Sequence, residues 1–192
     1  MKYRFLGFVF CLAVFAQAAT VPFPLPDVPI TEAGDGAQVV GGKVVMPKAG
    51  GKTIDLKKYR GKPMIVAMIS ISCGHCVTAV QYLMQIQDAY KEQGLQVVGV
   101  SGDQHASVEL PPWLQRFRPN FPFGYLDKDP FLKLAGLPAD ARPFAPIILF
   151  IDSSGTVRTR RLGNDPEMKD PQTALLSATK GLLALSAPAG KK

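Results

Sequence analysis

The sequence predicts a single α/β domain: a central mixed sheet with helices on both faces. Three observations carry this. Residues 64–71 and 95–101 are short, almost wholly apolar runs, the pattern of strands buried on both faces. Between them, residues 76–93 carry Val80, Leu83, Met84 and Tyr90 at helical spacing, and Gly94 supplies the stop. Strand, helix and strand of these lengths make a βαβ unit with a right-handed crossover. Finally, residues 147–151 are all apolar, Asp152-Ser153-Ser154-Gly155 is a turn, and residues 156–162 return as an alternating strand. That antiparallel hairpin makes the sheet mixed.

The elements follow in order. Lys2 and Arg4 precede an uncharged run at residues 5–16, and Ala16-Gln17-Ala18 places small residues where a signal peptidase reads. Residues 1–18 are therefore expected to be a cleaved secretory signal, the run being too short for a comfortable membrane span, with an uncleaved N-terminal anchor as the alternative. Export implies a periplasmic or secreted protein, in a compartment that permits disulfides. Residues 19–37, rich in Pro and Gly, read as a linker. Residues 38–46 read as a small hairpin turning at Gly41-Gly42, and residues 52–56 as a further short strand. Residues 57–62 form a basic connection. Residues 106–118 look helical, with Pro111-Pro112 expected to start or break the helix. A short strand is expected within 121–127, one or two helical turns within 129–137, and a last helix over 170–185. The domain spans 38–186, and residues 187–192 are expected to be a disordered tail.

Composition narrows the function classes. The 192 residues carry 22 Lys+Arg and 15 Asp+Glu, a formal charge of +7, and 47% are hydrophobic, which excludes a disordered or fibrous chain. The positive charge is spread over Lys57, Lys58, Arg60 and Lys62, over Arg158, Arg160 and Arg161, and over the C-terminus. Arg158 and Arg160 alternate on one strand face and read as a solvated face. No nucleic-acid motif appears, and none is expected in an exported chain. Three cysteines are too few for a disulfide-stapled scaffold, and Cys11 leaves with the signal.

The remaining pair, Cys73 and Cys76, brackets Gly74 and His75 where a buried strand hands over to a helix. A helix N-terminus has unpaired N–H groups and a positive dipole end, which favour a thiolate, and a protonated His75 would favour it further. The thiolate is the nucleophile of disulfide exchange. Cys76, one helical turn on, can resolve the mixed disulfide that Cys73 forms. A zinc site would need two further ligands, and only His75 and His105 stand outside the pair besides carboxylates. A purely structural disulfide would close so small a ring that it stabilises little. No metal and no cofactor is expected, because the cysteines carry the electrons.

Gly61-Lys62-Pro63, a buried strand, Cys-Gly-His-Cys, a long helix and Val97-Val98-Gly99-Val100-Ser101 resemble the thioredoxin-like fold. They are most similar to exported thiol-disulfide oxidoreductases of the TlpA and ResA type. The resemblance covers about residues 41–163. It implies a three-layer α/β/α architecture, with an N-terminal hairpin extension and an insertion between Ser101 and Pro143. It also implies a cis-proline ahead of a strand that ends in an Ile-Asp-x-x-Gly turn. Ala145-Pro146 precedes such a strand, so Pro146 is placed as the cis residue, with Pro143 as its competitor. The backbone before a cis-proline can pair with a bound substrate strand. By resemblance the substrate-binding residues are then Gly74, Ala145 and Pro146, and the catalytic residues are Cys73, Cys76 and His75. The implied partners are protein thiols and disulfides, with a redox partner that the residues do not name.

The chain departs from these relatives in three places. Ser72 stands where many carry an aromatic, Ala67 where thioredoxins carry a buried Asp, and Ala79 where ResA-like proteins carry a Glu. The Gly-His dipeptide resembles that of protein disulfide isomerases, which goes with a more oxidising poise. A peroxiredoxin-like thiol peroxidase of the AhpC/TSA type is the alternative: Ser70 stands three before Cys73 as that pattern requires, but Val66 replaces its proline. Trp113 reads as packing, and His105 as a loop residue.

Overall fold

The structure is a computed structural model that describes residues 22–34 and 52–186, together with the backbone of 38–40 and 43–45. The expected signal, the Gly41-Gly42 turn and the C-terminal tail lie outside the described residues.

The main sheet has eight strands. Its centre is β6 (Met64–Ile69), every residue of which is buried. β6 runs parallel to β7 (Gln96–Ser101) and antiparallel to β9 (Ile147–Ile151). β7 continues in parallel to β8 (Phe123–Tyr125), and β10 (Thr156–Leu162) pairs antiparallel with β9. The expected βαβ unit and hairpin are therefore the middle of the sheet. Between β6 and β7 runs α1 (Gly74–Tyr90), extended by a 3-10 turn at Lys91–Gln93 and ended by Gly94 at φ +87°.

Strand alternation divides the core in two. Ile65, Ala67 and Ile69 face one way, onto Val80 and Leu83 of α1, Leu110 and Trp113 of α2 (Ala106–Phe117), and Leu175 and Leu182 of α4 (Pro171–Ser186). Met64, Val66 and Met68 face the other way, onto Leu134 at the end of α3 (Lys128–Leu134) and onto Leu56. The result is three layers. Gly99 on β7 leaves the space that the Phe123 ring fills, since a Cβ there would overlap that ring.

Four expectations are corrected. The Pro-rich stretch read as a linker supplies two strands of the main sheet, β1 (Phe23–Pro24) on β10 and β2 (Ile30–Glu32) between β8 and β5 (Thr53–Ile54). Ile30 is fully buried, and burial of that kind outweighs the local proline signal. Pro24 is tolerated because β1 is an edge strand. Second, the strand expected to run to Leu56 stops at Ile54. Asp55 accepts a hydrogen bond from the Lys57 N–H at 2.9 Å and caps a 3-10 turn at Leu56–Tyr59. Third, α2 runs straight through Pro111-Pro112. Burial of Leu110, Pro111 and Trp113 on one side holds the helix, while Val108 and Pro112 lie at the surface. Fourth, a register shift between Val157 and Thr159 breaks the alternation of β10. Arg158 there donates to Asp152 Oδ2 at 2.6 Å, and Arg160 donates to the carbonyls of Ala135 and Gly136, so they are not a shared solvated face.

The expected small hairpin is present as β3 (Gln38–Val40) against β4 (Lys43–Val45), a sheet of its own. Among the described residues, no helix is long and apolar enough to cross a membrane.

Candidate active site

The site stands at the carboxyl end of β6, where ligand and catalytic groups gather in open α/β sheets. Ser70, Ile71 and Ser72 lead from β6 to Cys73, which is the N-cap of α1. The Cys73 Sγ accepts a hydrogen bond from the Cys76 N–H at 3.2 Å, so one of the orphan amides of the helix end is aimed at the sulfur. On its other side, the thiol donates to the Ala145 carbonyl at 3.8 Å. The Ala145–Pro146 bond is cis, and it is the only cis bond among the described residues. Residues 72 places apart in sequence thus meet at one sulfur.

The two cysteines differ in kind. Both are free thiols, but Cys73 is half-buried and Cys76 is fully buried. Burial pushes the Cys76 thiol up well beyond the ordinary thiol range, and its hydrogen bond with Cys73 and the nearby charge of Asp103 push the same way. Cys76 is therefore held as a protonated reserve under an accessible partner. Gly74 and His75 are both exposed on the first turn of α1.

A carboxylate that sequence reasoning missed holds the loop leading to Cys73. Asp103 stands two residues beyond β7. Its Oδ1 accepts from the Ser70 hydroxyl at 2.8 Å, and its Oδ2 accepts from the Ile71 N–H and the Ser101 hydroxyl, each at 2.7 Å. Asp103 so ties the loop that presents Cys73 to the end of β7. The available signal was a cluster of Ser70, Ser101 and Asp103 at the carboxyl ends of two neighbouring buried strands.

Two further features were not anticipated. An open cleft of about 400 Å³ adjoins Cys73, lined by Ile71 and Val77 and by Pro112, Trp113 and Phe117 of α2. Trp113 is packing, as expected: its ring lies 4.8 Å from Phe117 and 5.5 Å from Phe123, centroid to centroid, and it also walls this cleft. On the other side of the cis bond, Phe144 is 65% exposed. His105 is the N-cap residue of α2 and makes no side-chain cap bond. Among the described residues, no group of three or more His, Cys, Asp or Glu is placed to hold a metal ion.

The cis bond before Pro146 faces the Cys73 sulfur, as the resemblance implied. The Redoxin family model matches residues 28–175. The chain belongs to the Redoxin family. Its fold is thioredoxin-like. A thiol:disulfide interchange protein of Chlorobium tepidum superposes with a TM-score of 0.61 at 17% identity, over 85% of this chain and 98% of that one. A secreted disulfide oxidoreductase of Mycobacterium tuberculosis gives 0.57 at 16% identity, over 81% of this chain and 96% of that one. In sequence, 117 residues are 31% identical to the DipZ proteins of Mycobacterium bovis and Mycobacterium tuberculosis. That match covers 59% of this chain but 16% of DipZ, so the chain spans only a small part of those relatives.

Proposed function

We propose that this redoxin is an exported thiol:disulfide oxidoreductase, with Cys73 as the nucleophile and Cys76 as the resolving thiol. One observation carries the reading above all others: an accessible sulfur held between a helix-end amide and the Ala145 carbonyl, with a buried thiol one turn below it. The Cys73 thiolate attacks a substrate disulfide, and one substrate sulfur leaves as a thiolate. Cys76 then attacks the Cys73 sulfur, releases the second substrate sulfur and leaves the pair oxidised. Run in reverse, the pair donates its disulfide to a substrate dithiol.

Ala145 and Pro146 shape the docking face. The backbone at Ala145 lies where an extended substrate segment can pair with it, and exposed Phe144 offers that segment an apolar contact. Gly74 keeps the approach to Cys73 open, since nothing lies within 4 Å of where its Cβ would stand. His75, exposed on the first turn of α1 two residues after Cys73, is the side chain that tunes it. The substrates are protein thiols and disulfides, and a separate redox partner, membrane-bound or free, resets the pair. Export rests on the leader pattern of residues 1–18, and the Mycobacterium tuberculosis fold relative is itself a secreted protein.

The test is reduction of insulin disulfides and turnover of hydrogen peroxide by wild type, Cys73→Ser and Cys76→Ser. Exchange that needs both cysteines supports the reading. Peroxide turnover that survives Cys76→Ser, with no exchange by wild type, would reverse it in favour of a thiol peroxidase.

A further inference from the structure

The cations between β5 and β6 serve neither the core nor the redox pair. Lys57, Lys58, Arg60 and Lys62 stand close together in sequence and are all exposed. The backbone that carries them is fixed. Asp55 caps the turn at Leu56–Tyr59, Leu56 is buried beneath it, and the Gly61 N–H donates to the Ser153 carbonyl at 2.9 Å. The cations so stand on one rigid ledge. Lys62 and the buried Pro63 lead into β6, which puts the ledge at the amino end of that strand, whereas Cys73 follows its carboxyl end. The six residues of β6 hold the two apart by about 20 Å.

The carboxylates nearby are already engaged. Asp27 pairs with Lys57, Asp152 with Arg158, and Asp55 accepts from the Lys57 N–H. Glu32 on β2 has the exposed Lys52 beside it, its N–H donating to the Lys52 carbonyl at 2.8 Å. Among the described residues, Lys58, Arg60 and Lys62 form no ion pair, so the ledge keeps an excess of positive charge. Lys57, Arg60 and Lys62 also ring one depression, together with Asp27 and Asp152. Its free space is about 20 Å³, room for a single water. The cations therefore have no small-molecule pocket to serve, and what they can meet is an extended surface.

The position of the ledge selects that surface. A protein that exchanges disulfides must reach Cys73, and one seated at the opposite end of β6 does not. An anionic bilayer needs no such reach, and it attracts clustered Lys and Arg without a shaped pocket. The leader pattern of residues 1–18 brings the chain to a membrane in any case. We propose that the ledge at residues 57–62 docks on anionic phospholipid, which turns the redox pair away from the bilayer and toward protein in the compartment. This goes beyond the oxidoreductase reading and shares with it only the expectation of export.

The test uses protein isolated after export from cells expressing the full chain. It is sedimented with vesicles of phosphatidylcholine alone, or of equal parts phosphatidylcholine and phosphatidylglycerol. The parent should bind the mixed vesicles, leave the neutral ones, and come off as salt is raised. Lys58→Gln, Arg60→Gln and Lys62→Gln together should weaken that binding about a hundredfold, at roughly fivefold for each charge lost, while insulin is reduced at the parental rate. Lys191→Gln with Lys192→Gln, which removes the cations at the C-terminus, should bind as the parent does. No binding of the parent to mixed vesicles at low salt overturns the proposal and leaves an acidic protein as what the ledge meets. Equal binding to neutral vesicles overturns it too, as does binding lost with the C-terminal pair and kept in the triple variant. A chain that binds as expected but reduces no insulin leaves the docking surface standing and removes the proposed function instead.

Discussion

Replacing Gly163 with alanine should displace the carbonyl that faces the nucleophile. Gly163 follows β10 and donates its N–H to the Phe144 carbonyl at 3.0 Å, which brings its α-carbon onto the Ala145–Pro146 bond. A Cβ at 163 would press on the Ala145 oxygen, 2.6 Å from the Ala145 carbonyl carbon and 3.0 Å from the Pro146 nitrogen. Carbon atoms in contact want about 3.5 Å, so the segment must yield by roughly 1 Å. All the obstructing atoms are backbone, so no rotamer change can absorb the strain. Overpacking of this kind costs about 1–3 kcal/mol. In a domain of this size, each kcal/mol lowers Tm by about 2–4 °C. The functional cost should be larger, because the displaced carbonyl is the one bonded to Cys73, and misplacement by about 1 Å can cost 100-fold in rate. The assay pairs a thermal melt with the rate of insulin reduction. Gly74→Ala is the control for added volume near the pair, since nothing lies within 4 Å of its Cβ position, and its melting temperature should not fall. A Gly163→Ala protein with parental Tm and parental exchange rate would refute the reasoning.

Other outcomes follow from single contacts. Burial pushes the Asp152 carboxyl up, but hydrogen bonds from Ser154 and the Thr156 N–H and the Arg158 guanidinium outweigh it and hold it below the ordinary range. Asp152→Asn should therefore cost about 1–3 kcal/mol at neutral pH. Because the folded-state value is depressed, that stability is present above the ordinary carboxylate value and is lost as pH falls through the folded one. The gap between wild type and variant in denaturant unfolding should close in strong acid. Trp113→Ala removes a ring packed on Phe117 and Phe123 and should cost about 3–5 kcal/mol, read by the same unfolding. It also opens the wall of the cleft beside Cys73, so KM for a protein disulfide should rise. Pro112→Ala restores an N–H to the middle of α2 and removes a ring from an exposed helix position, so Tm should rise by several degrees.

The centre of the fold was legible because its signals are local. Residues 64–71 and 95–101 are apolar on both faces, which only a covered central strand needs, and Gly94 marks where the intervening helix must stop. Cys73 and Cys76 stand out by their spacing at a strand–helix junction, and the cis bond at Pro146 was implied by the resemblance through its place before the strand at Ile147–Ile151. What the sequence concealed depends on partners distant along the chain. Phe23 and Ile30 sit among prolines that suggest a linker, and only β10 and β8 make strands of their neighbourhood. Asp103 was overlooked because a carboxylate was sought at 67 and 79, on the strand and helix that carry the cysteines, whereas it arrives from the end of the neighbouring strand. The bulge at Arg158 inserts one unpaired residue into β10, which shifts every later side chain to the opposite face from the one that simple alternation assigns.

The division of labour between the two sulfurs can be measured directly. Reduced chain carrying Cys11→Ser, given a limiting amount of iodoacetamide at neutral pH and mapped by mass spectrometry, should carry the label on Cys73 and leave Cys76 unmodified. Label on Cys76 first, or no label on either sulfur while the fold is intact, would contradict the account.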